Sequence, residues 1–462
     1  MKTTKFFTMA ALAIMMAACS NDMEDLSTQQ PAKGKGIPFT AAIEMDDNAI
    51  TRSLIEDGTT LKTSWTEGDE IALVYSVGNT SYNTTATVLF VMDGKAYIAA
   101  TLEDGVDNGT ALPIIPPASA ADGATGDIKS NLLKTQDGKL SSISNSLDVR
   151  KGTGIVSIIG GNAVMGSSTK LTAQYAIFKF SLGVAATPEH PLYIKNNSTD
   201  NVITTVTPSS KSWDVYVAMA PSSDINYKFE LISDNNRILK RGKATIQAGK
   251  YYQSTVPARY PLEMSDMEKG IDEGCIIAND GKIYMNKSGI PTGKTAEAMV
   301  ALVGQATNNT YGLGIALVDA KLDNIGKPAG EFWTTTTSDD PSVGLIPIFA
   351  AKHPVEGGTW RLPTKNDWEM MFRGCSLDTD YALIDAAINT DLTIKGFKDK
   401  LNAASAMLAL DYYYWTGTLA STPSSGEQYG YVVTFSFGRE KAGAQFIVNG
   451  NSSHYVRACL AF

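Results

Sequence analysis

The sequence predicts two all-β sandwich domains followed by an α+β domain. Three observations carry this. From Ile37 to about Tyr260, short apolar runs recur between clusters of Gly, Asn, Asp, Ser and Pro, with no long amphipathic helix among them. From about Met264 the texture changes, and helical apolar spacing appears between strand-like runs. The chain is 462 residues long, more than one ordinary domain holds.

The first eighteen residues, MKTTKFFTMAALAIMMAA, are read as a secretory signal. Lys2 and Lys5 give a positive start, and Phe6 to Met16 form an apolar core too short to span a bilayer. Met16-Ala17-Ala18-Cys19 resembles a bacterial lipobox, which implies acylation of Cys19 and a lipid anchor in the outer membrane. Several acyl chains on one residue give stable anchoring, at roughly 0.8 kcal/mol per buried CH2. The acidic run Ser20-Asn21-Asp22-Met23-Glu24-Asp25 resembles the signal that sends Bacteroidetes lipoproteins to the cell surface. Residues 19–36 form a polar tether ending in Lys33-Gly34-Lys35-Gly36.

Composition narrows the function. There are 48 acidic and 39 basic residues, a net charge of −9, which argues against a nucleic-acid partner. Three histidines and four cysteines, widely scattered, leave little for a metal site or for His-based catalysis. No enzymatic activity, cofactor or metal is expected. With Cys19 acylated, Cys275, Cys375 and Cys459 allow at most one disulfide within the chain, and their pairing stays open.

The first sandwich is placed at 37–162 and the second at 163–262, with the joint at the Gly/Ser-rich stretch IGGNAVMGSST. Strands are expected at EIALVYSV, TATVLFVM, YAIFKFSL, WDVYVAMA and YKFELIS, and YAIFKFSL breaks strict alternation, which suggests a bulge. Trp65 is expected in the core, with Gly68-Asp69 turning into the next strand.

The third domain is placed at 263–462. Asp280-Gly281 marks a hairpin turn. Thr364 is an expected N-cap with Asp367 three residues on, and Trp368, Met371, Phe372 and Cys375 share one helical face. Two further helices are expected near 379–389 and 394–408. The chain then returns to strands at 412–418, 429–437 and 454–462.

Residues 37–262 resemble the fimbrillin family of Bacteroidetes, the subunits of their surface pili. The residues that carry the resemblance are Ile37-Pro38-Phe39, Thr51-Arg52, Trp65-Thr-Glu-Gly68-Asp69, Ala218-Met-Ala-Pro221 and Ala248-Gly249-Lys-Tyr-Tyr252. The last segment resembles a bacterial C-type-lectin-like domain. Trp360-Arg361-Leu362-Pro363-Thr364 with Trp368-Glu369, Tyr414-Trp415-Thr416-Gly417-Thr418 and Tyr455-Val456-Arg457 fall in the family's order. The calcium and sugar motifs of that fold are absent from the sequence. Asn449 and Asn451 stand where carboxylates would be expected.

The resemblances imply two fimbrillin-like sandwiches and a lectin-like end, hence an adhesive pilus-tip subunit whose partners are other pilin subunits. In the fimbrillin family a protease trims the chain after an Arg, and Arg52 is the candidate. That cut would release the first strand, whose Phe39, Ala41 and Ile43 would face the groove left behind, for a neighbour's strand to fill. Tyr412, Tyr413, Tyr414, Asn449 and Asn451 are the candidate contacts for a glycan or protein ligand. The alternative is a membrane-anchored surface glycan-binding lipoprotein that keeps its first strand and does not polymerise.

Overall fold

The computed structural model describes residues 36–45, 55–57, 60–62, 65–123, 125–165, 168–304, 311–320, 344–375, 392–393, 395–406, 413–419, 430–436, 441–447 and 455–462. The chain divides into two units: Met1–Leu231 with Ile238–Pro257, and Ile232–Arg237 with Ala258–Phe462. Cys19, Arg52, Tyr412, Asn449 and Asn451, and the helix expected near 379–389, lie outside the described residues.

Among the described residues the first unit holds two large β assemblies, beside two short ladders that pair Ile55–Asp57 with Thr60–Lys62 and Ala121–Asp122 with Asp127–Ile128. The first is built from β1 (Ile37–Met45), β2 (Glu70–Val77), β3 (Thr80–Met92), β4 (Lys95–Leu102), β5 (Ala111–Ile115), β6 (Arg150–Ile159), β7 (Asn162–Met165) and β8 (Thr169–Ala173). In sheet order they run β7-β1-β8-β6-β5-β2-β3-β4, with β7 also pairing β6 and β1 also pairing β4. β7 and β8 both pair β6 antiparallel and β1 parallel, so they share one lane end to end. Seven lanes thus close on themselves, and β1 is the strand that joins β4 to the β7/β8 lane. Closure removes the free edges that an open sheet would leave.

The barrel interior follows the two-residue period of its strands. Ile71, Leu73 and Tyr75 of β2 and Ala96, Ile98 and Leu102 of β4 are buried in one cluster with Leu112, Ile114, Val156 and Leu171. Trp65 is 1% exposed in the same cluster, as expected of a core tryptophan. Beside it Gly68 has a φ of +91°, and the Asp69 carboxylate accepts from Thr66 N at 2.9 Å, which makes the turn into β2.

The joint expected at 162/163 is displaced. Gly160 and Gly161, with φ of +58° and +81°, are the two-residue turn between β6 and β7, where Ile159 pairs Asn162. Positive φ at both central positions suits a tight hairpin, so these glycines join two strands of one barrel. The second assembly takes in the short strand Thr135–Gln136 and then runs from β9 (Ala176–Ala186) onward. Its other strands are β10 (Leu192–Asn196), β11 (Val202–Val206), β12 (Ser212–Met219), β13 (Ser222–Ile232), β14 (Arg237–Ile246) and β15 (Tyr251–Val256). One sheet has the order β12-β9-β15; the other runs from Thr135–Gln136 through β11, β10 and β13 to β14. Phe180 of β9 meets Phe229 of β13 edge-on at 4.8 Å. The stretch YAIFKFSL, where a bulge is expected, keeps a regular register against β12 from Ala176 to Ser181 and against β15 from Ile177 to Leu182, and the irregularity of β9 falls beyond it, between Ser181 and Ala186.

The second unit is α+β. Its first sheet is formed by β16 (Ile276–Ala278), β17 (Ile283–Tyr284), β18 (Ala296–Val303), β19 (Gly312–Ala316), β20 (Thr359–Arg361) and β25 (Cys459–Ala461), in the order β17-β16-β18-β19-β25-β20. A second sheet contains β22 (Tyr413–Leu419), β23 (Gly430–Ser436), β24 (Lys441–Ile447) and the short β21 (Leu392–Thr393). The helices among the described residues are α1 (Leu345–Lys352), α2 (Lys365–Cys375) and α3 (Lys395–Ala403). Asp280-Gly281 makes the expected turn between β16 and β17, with φ of +71° at Gly281.

α2 starts as its sequence implies. Thr364 Oγ1 accepts from Asp367 N at 3.1 Å, and the Asp367 carboxylate accepts from Thr364 N at 2.7 Å. This is a capping box with Asp in the position usually held by Glu or Gln. Trp368, Met371, Phe372 and Cys375 are buried, the largest exposure among them being 4%. Asn236 joins the turn Ile232–Arg237 to this unit: its Nδ2 donates to Tyr260 O at 3.0 Å and its Oδ1 accepts from Tyr260 N at 3.1 Å.

Candidate functional site: the seam closed by the first strand

β1 has the sequence IPFTAAIEM, and alternate residues point inward. Phe39, Ala41, Ile43 and Met45 are 1%, 8%, 0% and 6% exposed. Phe39, Ala41 and Ile43 are the residues expected to face a groove, and all three sit in the barrel core. Each large apolar side chain so buried contributes about 1.5–3 kcal/mol. Phe39, Ile43 and Met45 together therefore carry an amount comparable with the whole net stability of an ordinary domain, about 5–15 kcal/mol. A barrel deprived of β1 would need another strand in its place.

The backbone pairing makes the same point. On one side β1 runs antiparallel to β4, from Ile37 opposite Leu102 to Glu44 opposite Lys95. On the other it runs parallel to β7, with Phe39 beside Ala163, and then to β8, with Ile43 beside Thr169 and Met45 beside Leu171. Removing β1 would open two rows of backbone donors and acceptors at once, a template for strand addition.

The outer face of the seam is polar at one end. Glu44 Oε1 lies 2.5 Å from Lys95 Nζ and accepts from Ser168 Oγ at 2.8 Å. The hydrogen bond from Lys95, and then that from Ser168, hold the Glu44 carboxyl below its ordinary value. Ahead of β1, Gly36 has a φ of +146°, and a Cβ there would lie 2.5 Å from Thr101 Cγ2. The chain thus enters the seam in close contact with β4.

Sequence reasoning identified the inward residues of β1 but not the walls that receive them. The alternation in KAYIAATL, with Ala96, Ile98, Ala100 and Leu102 on one face, was the available signal for β4. The parallel partner in the β7/β8 lane is more than 110 residues further along the chain, and no local pattern announces it.

The candidate ligand residues fare differently. Tyr413 is 36% exposed and remains a surface aromatic. Tyr414 is 0% exposed, with its ring 6.2 Å from that of Trp368, so it is a core residue and is withdrawn as a ligand contact. Both faces of β22 are covered: Tyr414 packs into one core cluster and Trp415 into another, and both are fully buried. Trp360 and Trp368, at 7% and 0% exposure, are core residues as expected.

Cys275, Cys375 and Cys459 are free thiols, each buried. Among the described residues no group of three or more His, Cys, Asp or Glu side chains is arranged to hold a metal ion.

No family model matches the sequence, and neither does any curated protein sequence. Solved structures similar to this chain include a fimbrial protein from Bacteroides ovatus, at 14% identity and a TM-score of 0.26, over 93% of this chain and 99% of that one. A fimbrial assembly protein from Parabacteroides distasonis is similar at 11% identity and a TM-score of 0.28, over 48% of this chain and 90% of that one. The C-terminally truncated tip fimbrial protein Mfa3 from Porphyromonas gingivalis is similar at 9% identity and a TM-score of 0.22, over 45% of this chain and 81% of that one.

Proposed function

We propose that this chain is a cell-surface adhesive fimbrial subunit of the pilus tip, non-enzymatic, assembled with other pilin subunits by strand exchange at the β1 seam. It would reach the surface of the outer membrane by acylation at Cys19 and be released from its anchor by cleavage after Arg52. The single observation that carries the proposal is that, among the described residues, β1 alone joins β4 to the β7/β8 lane, with large apolar side chains turned inward. The fimbrillin-like motifs in the sequence support it too. β25 is paired on both sides, Leu460 with Gly314 and with Trp360, and is not itself a strand free to be donated. The lectin-like segment would bind a glycan or protein ligand, with Tyr413 as the surviving described contact.

A fluorescent peptide of sequence Gly36–Met45 tests the seam. It is offered to the full chain after a protease site, placed between residues 46 and 54, has been cut. Capture of the peptide, with displacement of the native segment, is the expected result. No capture under conditions that release and refold the strand would rule out strand exchange here and favour the static glycan-binding lipoprotein. For the ligand, Tyr413→Ala should lower binding to a glycan array at unchanged melting temperature, and unchanged array binding would dismiss Tyr413.

A further inference from the structure

Along the seam, large residues face small ones. Phe39 of β1 stands between Ala100 of β4 and Ala163 of β7. Ile43 stands opposite Ala96. Between them the order reverses, and Ala41 stands opposite Ile98, which is 1% exposed. Directly opposed cross-strand residues hold their Cβ atoms about 4.5–5.5 Å apart, so bulk at one position is felt at the other. Alternation of large and small across facing positions is how a close-packed core fills without voids or overlap.

We infer that the seam selects the strand it accepts by side-chain size: it takes large, small, large at alternate inward positions, and Ile98 is the residue that demands the small one. The inference rests on the strand-exchange reading and deepens it by naming the chemistry of the partner. The incoming segment is an apolar strand with an aromatic or other large residue for the Ala100–Ala163 pocket. It carries Ala or Gly against Ile98 and a branched aliphatic residue against Ala96. It runs parallel to β7 and β8 and antiparallel to β4, as β1 does. An acidic residue just after the third inward position would meet Lys95 and Ser168, as Glu44 does, and would mark the end of the register.

A slip of one residue would turn the polar face of the strand into the core. A slip of two in either direction would set a large residue, Phe39 or Ile43, against Ile98. Ile98 is therefore the residue that separates the correct register from its nearest same-face competitor.

The test uses the full chain, cut between residues 46 and 54 as above, and a series of Gly36–Met45 peptides. Replacing Ala41 of the peptide with Leu should weaken capture by about tenfold or more, the scale expected for overfilling a close-packed core. Replacing Ala41 with Gly should weaken it far less. The complementary change Ile98→Ala in the protein should restore capture of the Leu-bearing peptide, and Ile98→Val should restore it in part. The peptide series on the unaltered protein decides the matter even where Ile98→Ala fails to fold. Equal capture of the Ala- and Leu-bearing peptides would overturn size selection and leave strand exchange standing. Failure of the unmodified peptide to enter would overturn both.

Discussion

Phe39 of β1 and Ala163 of β7 lie side by side in parallel register, closing the barrel between strands far apart in sequence. Phe39 is 1% exposed and belongs to the main cluster of the barrel. Truncation to Ala would leave a cavity with small residues on both sides, and these cannot reach across to fill it. Phe39→Ala should therefore destabilise the first unit by about 3–5 kcal/mol, read from denaturant unfolding. A loss under about 1 kcal/mol would mean that β1 does not help hold the barrel together.

Asp367 anchors the second unit in a comparable way. It is 1% exposed, is paired with Arg361 through both carboxylate oxygens, and caps α2 through Thr364. The Arg361 side chain is 21% exposed and keeps some hydration, so Asp367→Ala, which removes two charge-assisted hydrogen bonds and the cap, should cost about 2–3 kcal/mol. Thr364→Ala, which removes only the cap hydroxyl, should cost about 1 kcal/mol. Equal effects from the two substitutions would contradict the assignment of Asp367 as the hub.

Glu273 gives the second unit a pH dependence of defined sign. Its Oε2 accepts from Gly270 N at 2.6 Å, while Oε1 is buried without a hydrogen-bond partner. Desolvation raises its folded-state value above that of an ordinary carboxylate, against the backbone hydrogen bonds, which lower it. The folded chain thus holds this proton more tightly than the unfolded chain. The associated stability is full below the ordinary carboxylate value and is lost as pH rises through the raised one. Glu273→Gln should flatten that part of the stability–pH curve, measured by urea unfolding at several pH values. An unchanged slope would contradict it.

The three buried thiols should be inert in the native protein. Burial pushes Cys275 up to about 11, and Cys375 and Cys459 up to about 12. Iodoacetamide at neutral pH should leave all three unmodified until the chain is unfolded, and then label all three, as read by peptide mass spectrometry. Rapid native labelling of any one would show that it is not sealed in the core.

Local chemistry was legible in the sequence, and long-range pairing was not. Trp65 with Gly68-Asp69, the Asp280-Gly281 hairpin and the Thr364–Asp367 cap are all decided within a few residues, and each stands where the sequence put it. Phe39, Ala41 and Ile43 were legible as one face of a strand for the same reason. Their partners Ala163 and Thr169 were not, because parallel pairing needs a long connection and leaves no turn signal. Gly160-Gly161 was misread as a domain joint because glycine pairs mark hairpin turns and linkers alike. The tyrosine run at 412–414 reads as a ligand platform, yet Tyr414 and Trp415 are both fully buried, in core clusters on the two faces of β22 that no local pattern announces. Val456, Ala458 and Leu460 alternate with Arg457 and Cys459, but all five are buried, since the first three pack into one core cluster, Cys459 packs into another and Arg457 pairs with Asp319.

The most direct test of the central claim is the N-terminus of the protein on intact cells, read by mass spectrometry of filament and membrane fractions. A filament fraction that starts at Ser53, with the β1 segment missing, is the result expected from cleavage after Arg52 and strand exchange. Acylated Cys19 as the terminus in every fraction, with β1 still in its seam and no filaments, would contradict it.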